Sequence, residues 1–500
     1  MLGSTLVLPR RGIEMDADAK LAETTDARSK RKPWTALVLL GLAQFMVTLD
    51  ITVVNVALPS IAVDLAFSQG DLQWVITAYV LFTGGLLMLG GRATDLFGRR
   101  RVFLAGLVLF TLASLASGLA PSPEALIGAR ATQGVGAAML TPGALSIVTT
   151  TYEGSQRTAA LAAWGAIASA GAAVGVILGG ILTAGLGWEW VFLINVPVGL
   201  ATAIGVFRVV PDAPASAAGR RLDIIGAVTA VAGLVLLVYA IEGANEHGWG
   251  SVRTLVLSTV AVALLAAFAV VERRVREPIL PPATWSNRSL VSGTGLILVA
   301  TALLVAVFFL NTIYFQDILG WSALETGLAF LPLVLAIGVA ANAANQLIPR
   351  AGSRNLAALG LGLVAVGAIL LVVAPDAASY WSDVLPGFII LGFGVGLVFP
   401  AASIASMSEV GEEAAGLASG LITTGHELGA AFGVAAISAV ATAASTFMSG
   451  YADGFAAIAV IAAVVAAVAL VAIPTVRPGA EVARSPSPRR RDRAFARSSR

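Results

Sequence analysis

Apolar stretches of about 20 residues, each long enough to cross a bilayer as a helix, follow one another along this chain. Their centres fall near Leu42, Leu81, Leu109, Ala137, Ala170, Leu200, Gly233, Leu264, Val299, Val334, Val364, Leu391, Gly429 and Val464, a pattern that predicts fourteen spans. A polar segment, 1–33, precedes them, and a segment rich in Arg, Ser and Pro, 476–500, follows. The charges between spans alternate. Segments sharing a side with the amino terminus hold Arg92, Arg99, Arg100, Arg101, Arg157, Arg208, Arg220, Arg221, Arg273, Arg274, Arg276, Arg288, Arg350 and Arg354. Those on the other side hold Asp64, Asp71, Glu124, Glu189, Glu246, Asp317, Glu325, Asp376, Asp383 and Asp453, with Arg253 as their single base. One loop departs, with Glu409, Glu412 and Glu413 inside and no base, but acids weigh little in this pattern. By the positive-inside rule this places both tails in the cytoplasm.

The pattern also repeats. Gly171, Gly175 and Gly179 recur as Gly425, Gly429 and Gly433, and Gly98 and Arg100 recur as Gly352 and Arg354. The common offset of about 254 residues is the mark of an internal duplication. The expected fold is all-α and transmembrane. It comprises a tail (1–33), a six-helix bundle (34–210), a linker with two extra helices (211–289), a second six-helix bundle (290–475) and a basic tail (476–500).

Composition narrows the chemistry. Of the 500 residues, 57% are hydrophobic and 12% charged, with mean hydropathy +0.88. That is about half the charge of a soluble domain, so a water-soluble globule is excluded. There is no cysteine, and the two histidines are His247 and His426. Thiol chemistry and a multi-histidine metal site fall away. All three lysines (Lys20, Lys30, Lys32) precede the first span, so no Walker A loop lies in the membrane body. No metal, cofactor, nucleic acid or ATP is expected, nor an enzyme, since no nucleophile–base constellation is visible. The expected partners are a small molecule, protons and lipid, and the expected state is a monomer in the cell membrane.

The loop after the second span reads Gly91-Arg92-Ala93-Thr94-Asp95-Leu96-Phe97-Gly98-Arg99-Arg100-Arg101. It resembles motif A of the major facilitator superfamily, whose reading is a cytoplasmic latch built here by Gly91, Arg92, Asp95, Gly98, Arg99 and Arg100, with Gly91 allowing close helix approach and Asp95 able to pair with arginines or a helix amino terminus. Simple topogenic charge is the alternative, and it accounts for the arginines but not for Asp95 with two glycines. Leu49-Asp50-Ile51-Thr52-Val53-Val54-Asn55-Val56-Ala57-Leu58-Pro59 resembles the first-helix signature of the fourteen-helix drug/proton antiporter branch. Gly187-Trp188-Glu189-Trp190-Val191-Phe192-Leu193-Ile194-Asn195-Val196-Pro197 is similar to a second segment of that branch. The fifth span carries Gly171, Gly175, Gly179 and Gly180 and resembles motif C of exporters, with Val176 at the expected proline. Glycines four apart share a helix face and allow close helix packing.

Three spans carry ionisable groups. Asp50 lies deep in the first, where a carboxylate must be paired, hydrated or protonated, so a change of water access could load and unload a proton. The alternative is a carboxyl held by Thr48, Thr52 or Asn55. Arg130, in a stretch resembling motif B, stays charged and could tune a nearby carboxylate, or tie to backbone carbonyls. Glu427, beside His426 in the thirteenth span, lies about 200° from Gly425, away from the glycine stripe. A cavity-facing second proton or cation site is expected there, the alternative being a pair with His426 or a bond to Thr423 or Thr424. Trp188, Trp190, Trp249, Trp321 and Trp381 read as an aromatic belt. Phe308, Phe309 and Tyr314 read as core or pocket wall.

Together these features imply a proton-coupled exporter of amphipathic or cationic compounds. Rival readings are export of one metabolite, siderophore or self-made antibiotic, and a receptor or scaffold without flux.

Overall fold

In the computed structural model the described residues are 11–473, apart from 69–70, 153, 212–222, 276–277, 279, 281, 373–378 and 411–414. No strand occurs among them. Fourteen helices cover the expected spans. They are α1 (Arg11–Asp64), α2 (Trp74–Phe97), α3 (Arg99–Gly118), α4 (Pro123–Thr151), α5 (Gly154–Gly185), α6 (Trp190–Val209), α7 (Ile224–His247), α8 (Val252–Arg274), α9 (Arg288–Ile318), α10 (Ala323–Ala351), α11 (Ser353–Val372), α12 (Tyr380–Met407), α13 (Ala415–Thr442) and α14 (Phe447–Ala472). Eleven are apolar enough along their length to cross a membrane. The others, α4, α5 and α13, are 29, 32 and 28 residues long. They are also the helices that carry Arg130, the glycine ladder and Glu427. Helix α1 begins at Arg11, so part of the polar segment expected as a tail is helical. The tail at 476–500 lies outside the described residues.

Helices α1–α6 pack on one another, as do α9–α14. The same contacts recur in both groups. Gly171, Gly175 and Gly179 of α5 stand against the α1 backbone at Phe45, Leu49 and Val53, where an added Cβ would lie 3.1, 3.0 and 2.9 Å from the carbonyl oxygens. Gly425, Gly429 and Gly433 of α13 meet α9 in the same way at Thr294, Leu298 and Ala302. Gly106 of α3 touches Gly136 of α4, and Gly360 of α11 touches Gly394 of α12. Between α2 and α3 the chain turns at Gly98 with φ +92°, and between α10 and α11 at Gly352 with φ +81°, conformations that favour glycine. Beyond each turn an arginine ties off a distant helix end. Arg100 donates to the Phe207 carbonyl of α6 at 2.9 Å, and Arg354 to the Leu470 carbonyl of α14 at 3.0 Å. A cation at a helix carboxyl end completes unpaired carbonyls and opposes the dipole.

Helices α7 and α8 form a hairpin. α7 lies against α2 and α13, with Val231 packed at Gly85, so it covers the seam between the two bundles. α8 packs on α7 and is otherwise open to the surroundings.

The tryptophans divide. Trp190, Trp249 and Trp381 are exposed, as a belt requires. Trp188 is buried and donates to Asp64 at 2.8 Å, and Trp321 stacks on Phe315 at 4.9 Å. Those two act in packing: Trp188 also meets Phe192 edge-on at 6.2 Å, and Trp321 lies 5.7 Å from the Tyr380 ring. Phe309 and Tyr314 are core, and Phe308 packs on Phe330 at 4.7 Å.

Candidate functional site

Asp50 sits near the middle of the apolar part of α1, ~24 Å from Trp34 and ~21 Å from Asp64 along the helix axis. It is fully buried, as is Arg130 of α4. The sequence separates them by 80 residues, and packing brings Arg130 Nη1 to 2.5 Å from Asp50 Oδ2. Arg130 Nε donates to the Val75 carbonyl of α2 at 2.8 Å, and Nη1 also donates to Gln133 Oε1 at 2.8 Å. The other carboxylate oxygen accepts from Gln133 Nε2 at 2.8 Å and from Asn195 Nδ2 at 3.0 Å. Asn195 also donates to Ser114 Oγ at 3.0 Å, and that hydroxyl donates to the Phe192 carbonyl at 2.9 Å. One neutral ion pair is therefore wrapped in two carboxamides and a hydroxyl from α3, α4 and α6. Two buried charges are tolerated in a membrane when they are paired and the remaining lone pairs are met in this way.

The arrangement differs from the local alternatives. Thr48 and Thr52 donate to carbonyls of their own helix, so neither holds Asp50. Arg130 combines both expected roles, meeting a carboxylate and a backbone carbonyl. Gln133 and Asn195 join the site without having stood out in the sequence. The signal available is their place inside two stretches that carry the family resemblance, three residues after Arg130 and five after Trp190, but uncharged amides attract no attention by charge.

Glu427 lies elsewhere. On α13, ~18 Å from Ala415 and ~22 Å from Thr442 along the axis, it is 9% exposed. The glycines of α13 face α9, and Glu427 points the other way, to α2, where an added Cβ on Gly84 would lie 2.7 Å from Glu427 Cβ. The expected geometry, away from the glycine stripe, is what places this acid on the seam between the bundles. No hydrogen bond or ion pair to it occurs among the described residues. His426 does not pair with Glu427. Its Nδ1 stands 2.6 Å from Thr301 Oγ1 of α9, and its ring meets Phe399 of α12 edge-on at 5.5 Å. His426 is otherwise exposed.

In the motif A loop, Gly98 makes the turn and Arg100 ties α6, and Phe207 also stacks under the Arg100 guanidinium at 4.8 Å. The close helix approach expected of Gly91 is made instead by Gly90, which faces the α4 backbone at Ala138 and Met139. Gly91 is turned about 100° away and meets Pro142 at an ordinary 3.7 Å. Arg92 and Arg99 are half-buried, and the side chain of Asp95 lies outside the described residues. Gly180 departs from the rest of the α5 ladder. It faces α10 of the other bundle, where an added Cβ would lie 2.7 Å from the Ala323 oxygen, and Gly327 of α10 faces the Val176 carbonyl.

That crossing joins the bundles at the acidic ends of their helices. At another, Gln316 Nε2 of α9 donates to the Val56 carbonyl of α1 at 2.8 Å, with Thr312 Oγ1 3.5 Å from Asn55 Oδ1. Asp50 thus lies below an end at which the two bundles touch.

The Major Facilitator Superfamily model matches residues 40–434. The chain belongs to that superfamily. It is 42% identical to the puromycin resistance protein of Streptomyces alboniger over 411 residues, 81% of each chain. To the cephamycin export protein of Amycolatopsis lactamdurans it is 41% identical over 81% of this chain and 84% of that one. The lincomycin resistance protein of Streptomyces lincolnensis is 37% identical over 83% of this chain and 86% of its own.

Proposed function

We propose that this superfamily member is a proton-coupled antiporter that exports antibiotics and other amphipathic or cationic compounds by alternating access. The observation that carries the coupling is the contrast between two mid-membrane acids. Asp50 is neutralised by Arg130 and fully satisfied, whereas Glu427 stands at the bundle seam with no partner among the described residues. An unpaired carboxylate in such a place is stable only when protonated, hydrated or beside a cation. A proton from outside and a cationic substrate from inside therefore compete for one charge. With the basic ends in the cytoplasm, as the charge distribution supports, the contacts between the bundles at the acidic end support a conformation closed to the outside. Opening it requires the Gln316–Val56 contact to break, letting protons reach the seam and substrate leave. The Arg130–Asp50 pair is the reserve site, released when Asp50 takes up the proton.

The driving force is adequate. Each proton crossing about 100 mV supplies ~2.3 kcal/mol, and one pH unit adds ~1.4 kcal/mol. Together they sustain a gradient of roughly several hundred-fold for a neutral substrate exchanged one for one. For a monovalent cation the exchange is electroneutral and the pH term alone remains.

The test uses everted vesicles holding the full chain, with ethidium, puromycin and lincomycin as probes. Transport of at least one should collapse with an uncoupler, in Glu427→Gln and in Asp50→Asn. Transport that survives all three would overturn proton coupling, and absence of flux for every probe would favour a receptor or scaffold.

A further inference from the structure

Tyr79 is a buried titratable side chain that the exchange just described leaves without a role. It stands on α2, one turn before Thr83 and Gly84, and is fully buried. Its ring covers the Arg130 guanidinium, whose central carbon lies 4.3 Å from the ring centroid, and meets Phe110 edge-on at 6.4 Å. Phenylalanine would make both contacts equally well. The hydroxyl is the part that calls for a reason, because it finds no hydrogen-bond partner among the described residues, and neither does Nη2 of the arginine beneath it. Buried polar atoms are ordinarily paired, and an orphaned one calls for an explanation such as a functional role or a bound water.

The position of the phenol supplies that reason. The charged groups around it are Asp50, Glu427 and Arg130. Helix α2 is the one element that reaches both acids. Val75 accepts from Arg130 and Gly84 touches Glu427, and Tyr79 stands between them along α2, one turn after Val75 and about 140° around the axis from Gly84. Thr83, one turn on from Tyr79, binds the Tyr79 and Gly134 carbonyls at 2.8 and 3.3 Å and fixes α2 on α4.

We infer that the Tyr79 hydroxyl relays protons between Glu427 at the seam and Asp50 in the buried cluster. A phenol both donates and accepts a hydrogen bond. It can therefore pass its own proton to the Asp50 carboxylate while taking one from protonated Glu427, with water filling any gap. One O–H bond breaks and one forms at the phenol, one breaks at Glu427 and one forms at Asp50. The tyrosine ends neutral and one proton has moved. Asp50 then no longer balances Arg130, so a proton taken at the seam is felt inside the first bundle.

This relay rests on the proton coupling through Glu427 and Asp50 proposed above. The experiment reconstitutes the full chain in proteoliposomes with puromycin or ethidium, whichever the wild type carries. Proton movement per substrate is read with an internal pH dye, and substrate-for-substrate exchange, which carries no net proton, is read in parallel. Tyr79→Phe keeps the ring and should lower proton-driven transport at least about tenfold. Exchange should change by less than about twofold, the split that distinguishes a relay from packing. Tyr79→Phe matching wild type in both, while Glu427→Gln and Asp50→Asn lose proton movement, overturns the relay alone. Equal loss of both activities in Tyr79→Phe assigns the residue to packing and also overturns it. Unchanged proton movement in Glu427→Gln and Asp50→Asn, or no flux by wild type, overturns the reading underneath.

Discussion

At the scale of the residue, the buried ion pair makes the sharpest energetic statement. Asp50→Asn would leave Arg130 charged, buried and facing an amide, and breaking such a pair from one side costs about 3–5 kcal/mol. Detergent-solubilised Asp50→Asn is expected to unfold at a clearly lower temperature than wild type. Adding Arg130→Gln should recover part of that loss, because the stranded charge goes, while proton-driven export stays absent. Glu427→Gln should behave oppositely, keeping the melting temperature and losing the coupling, since no described partner is stranded. Both measurements are thermal melts beside vesicle transport. The two acids were legible from sequence because charge inside an apolar run is conspicuous. The uncharged partners of Asp50 were not. Gln133 and Asn195 are uncharged, and they matter because α4 and α6 deliver them to one carboxylate oxygen from 83 and 145 residues away.

At the scale of the element, glycine spacing predicted that α5 and α13 approach a neighbour closely, and which neighbour was decided by packing: α1 for one and α9 for the other. A side chain at Gly429 would run into the Leu298 backbone, which cannot step aside as a side chain could. Gly429→Val is expected to cost about 1–3 kcal/mol or more and to reduce folded protein in the membrane. Gly295→Ala on α9, where nothing lies within 4 Å of the added carbon, is the control and should fold as wild type. Fluorescence-detected size exclusion of the two variants reads the difference. The same helical arithmetic corrected one expectation. Gly90 and Gly91 are adjacent in sequence but about 100° apart around α2, so only Gly90 can touch α4 closely. Trp188 and Trp321 likewise look like interfacial anchors in sequence and are drawn into packing by Asp64 and Phe315.

For the whole molecule, the two bundles share a plan and differ in filling. Six residues before the crossing glycine of α4, Gly136, stands Arg130, and six before the crossing glycine of α12, Gly394, stands Phe388. Phe388 is buried and stacks on Phe330 at 5.7 Å. One bundle holds an ion pair where the other holds stacked rings, so the buried ionisable groups are concentrated in the first bundle and on the seam. Movement between the bundles can be trapped. The chain has no cysteine, so Asn55→Cys with Thr312→Cys provides the only thiols. These positions already face each other at the end where the bundles touch, with 3.5 Å between side-chain atoms. A short thiol-specific cross-linker should stop export and reductant should restore it, and full transport by the cross-linked pair would show that this contact need not open.

The amino-acid sequence determined on its own the number of spans, the duplication and the presence of ionisable groups in the membrane. Each of these follows from local composition against a bilayer of known thickness, with no need for distant contacts. Tertiary structure alone decided which carboxylate is neutralised and which is left at the seam, because pairing across 80 residues depends on how helices pack and rotate, and helical phase relates only residues of one helix.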